Sequence, residues 1–555
     1  METTRFILLI ALGLVLTMIW QAWQEDYINP YQAITSNQPA ADKTENKVPD
    51  LPGIPRSNES NVSPSPVPEI STKKMAQEGQ IIHVKTDVLD IEISTYGGTI
   101  QKSSLLKYPV SKKNKDEPVV LLKNNPDDFY LIQGGLLSEN EIANHKTIFK
   151  ADKFEFDMNT NEKLSVSLVW ESGSGLKVIK TFTFYRGQYV ADVSQEVINK
   201  TDAVWSGRSY AQINRTEPLK KGSRFIYTYT GAVISSPEKR YHKIKFKDIQ
   251  DEKLSVDIVN GWAAMPQHYF FTALIPGSKE DKYHYYTLNP DNKSYIIGAV
   301  TPGKTITPGT SDTFNQRVYI GPKLQKTLGQ IAEGLELTVD YGFLWFIAEP
   351  VYWLLDHIHS FTKNWGWSII LVTLLLKIIF YKLSAAGYRS MANMRRVQPR
   401  LISIKERYKD DRARLNQAMM EIYKEEKINP LGGCFPIMIQ IPVFISLYWV
   451  LLETVELRQA DFILWIHDLS IPDPYFVLPL LMGITMFVQQ KLNPAPMDPV
   501  QAKVMSVLPV VFTVFFAFFP SGLVLYWVVN NVLSIAQQWM ITRNLEKAGL
   551  KKIGT

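Results

Sequence analysis

The 555-residue chain contains a single cysteine, Cys434. A disulfide needs two cysteines, so no part of the chain depends on an internal disulfide for folding. The eight histidines are scattered and show no ligand spacing; His357 and His359, two residues apart, would point to different faces of a helix. The sequence therefore predicts no metal site and no cofactor.

Acidic residues are missing from the long apolar runs of the second half. Six apolar runs approach the ~20 residues that cross a ~30 Å hydrocarbon core, so we predict six membrane spans. They lie at residues 6–23, 361–381, 431–451, 475–490, 504–519 and 523–541, and the last five contain no Asp or Glu. Because a proton-coupled transporter normally needs an intramembrane carboxylate, this absence argues against that class.

A positive charge, Lys377, lies deep inside the second run, whereas Lys363 lies near its start. A lysine at a helix centre costs roughly 2.5 to 3.5 kcal/mol on insertion scales and usually faces a bundle interior or a hydrated cavity. The alternative is that its amine snorkels to the interface near Tyr381, a turn away. Polar residues at helical spacing in this and other spans favour a hydrophilic groove. The predicted groove residues are Lys377, Thr373, Gln440, Asn530, Ser534 and Gln537.

Charge beside the runs predicts the orientation. The loop after the second run is strongly basic and the loop at residues 453–474 is acidic, which places the first in the cytoplasm and the second outside. With six spans, both termini are then cytoplasmic. Residues 1–23 are predicted to be an uncleaved anchor because no small-x-small cleavage pattern follows them, and the basic tail at residues 542–555 is cytoplasmic.

The block between the first two runs is therefore predicted to lie outside. Residues 24–78 form a Pro-, Ser- and Asn-rich linker. In residues 79–325, alternating apolar and polar residues predict a large antiparallel β-sandwich. The stretch Gly298–Thr305 satisfies the phosphate-loop pattern, but the Pro and Gly after it cannot continue the required helix, so we predict a turn. The aromatic region 326–360 predicts a surface helix with Trp345, Tyr352 and Trp353 at headgroup level; a longer tilted span is the alternative.

The cytoplasmic loop is predicted to be a helical hairpin over residues 384–429, with breaks at Pro399 and at Asp410-Asp411. Its basic first arm and the basic tail would recruit a ribosome or a nascent chain. The alternative is that the hairpin rests on anionic lipid. The residues predicted to take part in recruitment are Arg395, Arg396, Arg400, Lys551 and Lys552.

Four stretches closely resemble the YidC/Oxa/Alb family of membrane protein insertases, in the long form of Gram-negative bacteria. They are residues 429–442 (NPLGGCFPIMIQIP), 455–460 (VELRQA), 464–470 (LWIHDLS) and 519–526 (FPSGLVLY). The resemblance implies an outer β-supersandwich, a core of five spans over residues 361–541, and a groove open to cytoplasm and lipid. Lys377 stands where the bacterial family usually has Arg; Lys keeps the point charge but lacks the planar fork.

The resemblance also implies a function and partners. The chain would insert and fold inner-membrane proteins without covalent chemistry, as an insertase and membrane chaperone in the bacterial inner membrane and not as an enzyme. Its partners would be nascent inner-membrane proteins, the Sec translocon, the ribosome and the phospholipid bilayer. Apolar segments would slide out past Ile441, Phe444 and Tyr526. Two other classes remain open, namely a flippase or channel for a small polar substrate and a membrane-tethered periplasmic carbohydrate-binding module.

Overall fold

The computed structural model describes residues 79–139, 142–218, 229–408, 411–426, 435–493 and 499–553. The predicted anchor at 1–23, the predicted linker at 24–78, Cys434 and the start of the third predicted span lie outside these residues. The described chain forms two compact units, one ending at Thr338 and the other beginning at Val339.

The first unit is built mainly of short strands. In some, such as Ile81–Lys85, buried and exposed side chains alternate, while others, such as Phe270–Pro276, are buried throughout. The strands are β1 (Ile81–Lys85), β2 (Leu89–Ser94), β3 (Thr99–Pro109), β4 (Pro118–Asn125), β5 (Asp128–Ser138), β6 (Lys150–Ala151), β7 (Glu155–Asp157), β8 (Lys163–Glu171), β9 (Leu176–Tyr185), β10 (Val190–Asn199), β11 (Trp205–Thr216), β12 (Ala232–Ser235), β13 (His242–Ile244), β14 (Ser255–Val259), β15 (Trp262–Pro266), β16 (Phe270–Pro276), β17 (Lys282–Leu288), β18 (Ser294–Val300), β19 (Lys304–Ile306) and β20 (Ser311–Pro322).

These strands form two sheets. One runs β14-β17-β18-β11-β5-β4-β3-β2-β1-β7, with β19 paired to β11, and the other runs β13-β12-β15-β16-β20-β10-β9-β8-β6. The pairings are antiparallel except that β7 lies parallel to β1, with His83 opposite Glu155. The prediction of a purely antiparallel sandwich was wrong at this edge. A long connection separates β1 from β7, and such a connection permits a parallel pair.

Polar bonds as well as apolar side chains cross between the sheets. The hydroxyl of Tyr130 on β5 donates to the carbonyl oxygen of Met265 on β15. The amine of Lys180 on β9 donates to the carbonyl oxygens of Gly97, Gly98 and Gly134, at 2.9, 3.0 and 3.0 Å. Lys180 is only 2% exposed, and burial lowers the pKa of its amine to about 7. The predicted large β-sandwich is confirmed.

Two smaller predictions are settled in the two units. In the first, Val300 ends β18 and Lys304 begins β19, so the phosphate-loop-like stretch is a turn between strands, as predicted. In the second unit, His357 contacts the ring of Trp353 and His359 contacts the ring of Trp365. The two histidines therefore point in different directions, as predicted for residues two apart on a helix.

Ten helices complete the described fold, and all but the first two belong to the second unit. They are α1 (Phe246–Asp251), α2 (Gln325–Ile331), α3 (Trp345–Thr362), α4 (Trp365–Ile379), α5 (Tyr381–Arg407), α6 (Arg412–Glu425), α7 (Phe435–Glu453), α8 (Val477–Leu492), α9 (Pro499–Phe516) and α10 (Ser521–Ile553). Short 3-10 turns occupy Leu335–Thr338, Gly342–Leu344 and Val455–Leu457.

In the described part of the chain, the last five predicted spans correspond to helices with shifted ends. Taken alone, none of the described helices is both long and apolar enough to cross a membrane, but α4 and α5 meet that test as a pair bent by 69°. The helix α10 continues beyond the predicted span end at 541 through most of the basic tail.

The predicted helical hairpin is present as α5 and α6, but Pro399 does not interrupt it. Proline removes one backbone hydrogen bond, and inside a long helix it bends the axis rather than ending the helix. The break comes instead just before α6, where the carboxylate of Asp411 accepts a hydrogen bond from the backbone N–H of Arg414 at 3.0 Å.

Candidate functional site

The second unit contains a partly open cavity between α4, α5, α7 and α10, whose empty space of about 330 Å³ includes space open to the surroundings. We call it the Lys377 cavity. It is lined by Thr373, Leu376, Lys377, Phe380, Ser384, Gln440, Val443, Tyr526 and Asn530. None of these nine residues is acidic, and Lys377 is the single charged residue among them.

Helix α4 brings Lys377 to this cavity. The helix begins at Trp365, where the side-chain oxygen of Asn364 accepts a hydrogen bond from the backbone N–H of Trp367 at 3.1 Å and satisfies a free donor of the first turn. Lys377 lies in the last turn and is 9% exposed. Its amine donates to the Ser534 hydroxyl on α10 at 2.7 Å. This geometry directs the amine into the bundle and not toward the interface near Tyr381.

A chain of polar contacts continues from Lys377 along α10. The Ser534 hydroxyl donates to the backbone carbonyl of Asn530 at 2.7 Å. The side-chain amide of Gln440 on α7 donates to the Asn530 side-chain oxygen at 3.1 Å. The side chain of Tyr388 on α5 lies beside Ser534. Four helices therefore meet around one hydroxyl and one amide.

The remaining predicted groove residues occupy different places. Thr373 lines the cavity, but its hydroxyl donates to the Ile369 carbonyl of its own helix at 2.6 Å. Gln537 is not among the lining residues; its amide donates to the Tyr381 carbonyl at 3.3 Å, beside the bend between α4 and α5. The structure thus brings Lys377, Thr373, Gln440, Asn530 and Ser534 together and places Gln537 at the margin.

Sequence reasoning missed two polar side chains of this site. Ser384, taken as the first residue of the cytoplasmic hairpin, is buried and lines the cavity. Tyr388 contacts Ser534. The helical spacing 377, 380, 384 and 388 would have revealed both, because it continues past the first charged residue, where we ended the span.

The predicted sliding contacts differ in exposure. Ile441 is 48% exposed on α7. Phe444 is half-buried, and its ring stacks on that of Tyr526 with centroids 5.7 Å apart. Tyr526 is buried and lines the cavity. Of the three, Ile441 alone offers a large apolar surface outside the packed interior.

Two arginines of the basic hairpin form ion pairs within the hairpin. Arg396 and Arg400 each contact a carboxylate oxygen of Glu426 at 2.8 Å, while Arg395 is exposed. An apolar cluster of Val397, Leu401, Met419 and Ile422 fills the space between α5 and α6. Lys551 and Lys552 fall in the last turn of α10.

On the surface helix α3, the predicted aromatic set divides. Trp345 and Trp353 are exposed, as a position at headgroup level requires. Tyr352 is buried, and its hydroxyl donates to a Glu456 carboxylate oxygen at 3.2 Å. The prediction for Tyr352 was wrong, because this carboxylate gives the phenol a partner inside the unit.

Comparison with known proteins identifies the family. Residues 81–354 match the family model described as the YidC periplasmic domain, and residues 357–548 match that described as the 60Kd inner membrane protein. The membrane protein insertase YidC of Methylococcus capsulatus is 49% identical to this chain, over 99% of both proteins. The chain belongs to the YidC family of membrane protein insertases. The family assignment from the four sequence stretches is confirmed, and neither alternative function is favoured.

A second relative gives the same result. The membrane protein insertase YidC of Nitrosococcus oceani is 48% identical, over 99% of this chain and all of that protein. A crystal structure described as an active YidC insertase with the first transmembrane domain resolved aligns with a TM-score of 0.37 and 18% identity, over 83% of this chain and 94% of that one. Lys377 and its polar partners all lie within the stretch that matches the 60Kd inner membrane protein.

Proposed function

We propose that this chain inserts and folds proteins of the bacterial inner membrane by offering the Lys377 cavity to the polar part of an incoming segment. The observation that carries the proposal is a buried lysine held by a neutral hydroxyl in a cavity without acidic lining. A cation in such a place attracts a carboxylate that would otherwise enter the hydrocarbon without a partner. No covalent step is needed.

The chemistry of lysine sets the kind of attraction. An ammonium group has three donors and acts as a compact point charge, whereas a guanidinium grips a carboxylate through two parallel bonds. One donor of Lys377 is used on Ser534. Two donors then remain for an acidic residue of the client, so the cavity selects for charge more than for bond geometry.

The proposed arrangement in the membrane follows the charge pattern. Six spans place both termini and the hairpin in the cytoplasm and the β-sandwich in the periplasm. The core runs over residues 361–541, with the surface helix region at 326–360 before it, and apolar segments leave the groove past Ile441, Phe444 and Tyr526. The exposed side chain of Ile441 supports this exit path.

The proposed partners are inner-membrane clients, the Sec translocon and the ribosome, the last contacting the hairpin (residues 384–429) and the basic tail. The exposed cations of α5 support a ribosome contact, since phosphate groups bind clustered lysine and arginine.

The test is insertion into proteoliposomes that contain only this protein. Two clients share one apolar segment and differ in a short tail that is acidic or neutral. We expect wild type and Lys377→Arg to insert the acidic-tailed client, Lys377→Ala to insert it about 10-fold more slowly, and Lys377→Glu to be slowest, because like charges repel. The matched control is Lys382→Ala, which removes an exposed lysine five residues away.

Equal insertion of the acidic-tailed client by wild type, Lys377→Ala and Lys377→Glu would reject the electrostatic role of the cavity. Failure of wild-type protein to insert either client would reject autonomous insertion.

A further inference from the structure

We propose that Ser534 is a positioning residue that seats the Lys377 amine, and that the preference for acidic client segments depends on its hydroxyl. This inference rests on the proposed function of the Lys377 cavity. It adds a residue that does not meet the client itself but fixes where the cavity holds its charge.

The first argument is the freedom of the lysine side chain. Its four-carbon stem can place the ammonium group at many depths along a groove. In the structure the amine reaches across from α4 to the α10 hydroxyl, 2.7 Å away. Because Lys377 is 9% exposed, water does not surround this contact and hold the amine elsewhere.

The second argument is how Ser534 uses its hydroxyl. A serine hydroxyl has one proton to donate and two lone pairs that accept. The proton goes to the Asn530 carbonyl, 2.7 Å away and one turn back on α10. One of the two lone pairs accepts from Lys377. With its proton committed, Ser534 has none to offer a client carboxylate, which makes its role positional.

The third argument is that neighbouring helices hold the Ser534 hydroxyl, the seat of the Lys377 amine, in place. Asn530 accepts from Ser534 through its backbone and from the Gln440 amide through its side chain. Gln440 of α7 fixes the turn of α10 that carries Asn530 and Ser534, and Tyr388 of α5 lies beside the hydroxyl. A braced hydroxyl holds the amine in one place before the client arrives, which lowers the ordering needed on binding.

The test compares Ser534→Thr with Ser534→Val, two variants of nearly the same shape that differ in the hydroxyl. The same proteoliposome assay measures insertion of the acidic-tailed and neutral-tailed clients over a range of client concentrations. We expect Ser534→Thr to keep the wild-type ratio of acidic- to neutral-tailed insertion. We expect Ser534→Val to lower that ratio about 5- to 10-fold, the loss that corresponds to one hydrogen bond of ordinary net strength.

The loss should appear mainly as a higher client concentration for half-maximal rate, because the charge is still present but no longer held in place. Adding Ser534→Val to Lys377→Ala should change the ratio no further, since the seat then has no amine to hold. The thermal unfolding midpoint of each purified variant checks that the fold is retained.

Three outcomes would reject the seat. In the first, Ser534→Val keeps the wild-type ratio of acidic- to neutral-tailed insertion although Lys377→Ala lowers it. In the second, Ser534→Val slows insertion of both clients equally. In the third, Ser534→Val lowers the ratio further when it is added to Lys377→Ala. If Lys377→Ala itself leaves the ratio unchanged, the proposed role of the cavity charge fails, and the seat fails with it.

Discussion

Two of the buried lysines, Lys180 in the first unit and Lys377 in the second, are held by neutral oxygen atoms. Lys180 donates to three backbone carbonyls of the sandwich, and Lys377 donates to the Ser534 hydroxyl. Neutral acceptors solvate an ammonium group without cancelling its charge, whereas a carboxylate would cancel it. In the sandwich, the three hydrogen bonds of Lys180 link the two sheets. In the helical unit, the proposed role of Lys377 follows, because its charge is not cancelled and would attract an acidic ligand.

The burial of Lys180 makes the stability of the sandwich depend on pH. Burial lowers the pKa of this amine from the ordinary 10.5 to about 7. Between these values the unfolded chain holds a proton that the folded chain has released, so stability rises with pH through this window. We expect the contribution to grow by on the order of 3 kcal/mol between about pH 7 and about pH 9.5.

The matched variant is Lys180→Met, which keeps an apolar stem and removes the amine. Pulse proteolysis of the full-length protein in urea, at both pH values, measures the free energy of unfolding of the sandwich. The variant should be less stable overall, because three carbonyls lose their donor, and should show a flatter pH dependence. The same pH slope in both proteins would contradict the assignment.

The site residues were predictable where polar residues recur at helical spacing on one face of a helix. Thr373 and Lys377 share a face of α4, and Asn530 and Ser534 share a face of α10, so spacing alone paired them. Ser384 was missed because we ended the predicted span at the first charged residue and did not follow the helical spacing beyond it. The Tyr352 contact could not be predicted, since Glu456 lies more than a hundred residues away in sequence and only the fold brings the two together.

At the scale of elements, the arginines on α5 of the hairpin differ in their contacts. Arg396 and Arg400 both meet Glu426 on the second arm and so brace the hairpin, while the neighbouring Arg395 is exposed. Exposed ion pairs contribute only about 0.2 to 1 kcal/mol each, so the apolar cluster between the arms carries most of the stability. Arg395 is thus the better candidate for contact with a phosphate backbone.

We expect Arg395→Gln to weaken binding of ribosomes to the detergent-solubilised protein and to lower the salt dependence of that binding by about one phosphate contact. Arg400→Gln should act mainly on the hairpin and reduce binding less. Co-sedimentation over a salt series measures both, and Glu421→Gln, an exposed acidic position on α6, serves as the charge control. Unchanged binding in Arg395→Gln would favour the alternative in which the hairpin rests on anionic lipid.

Most elements could be predicted, because the sandwich strands and the apolar helices have distinct periods, two and 3.6 residues. Two features could not. The parallel edge pair of β1 and β7 depends on where a long connection returns, which alternation does not encode. The length of α10 was underestimated because the prediction stopped at the end of the apolar run, while helix propensity continues through Arg, Glu and Lys.

At the scale of the whole molecule, the single cysteine makes orientation testable. Replacing Cys434 by Ser gives a cysteine-free protein, into which one cysteine is returned at Lys200, Arg395 or Leu464, all exposed positions. The proposed orientation predicts that a membrane-impermeant maleimide labels the cysteines at 200 and 464 from the periplasmic side. The cysteine at 395 should react only after the inner membrane is opened.

Insertion of the acidic-tailed client by each single-cysteine protein shows that the reporters have not altered the fold. Labelling of position 395 from the periplasm, or protection of position 464, would contradict the proposed orientation.

The unbroken helix α10 also has a mechanical consequence. It carries Asn530 and Ser534 on one stretch and the basic tail on another, without a break through Ile553. At 1.5 Å per residue, Ser534 and the last helical residue are about 28 Å apart along the axis. A stiff rod of that length passes torque from one end to the other. A partner that grips and turns the tail therefore also turns the wall of the Lys377 cavity.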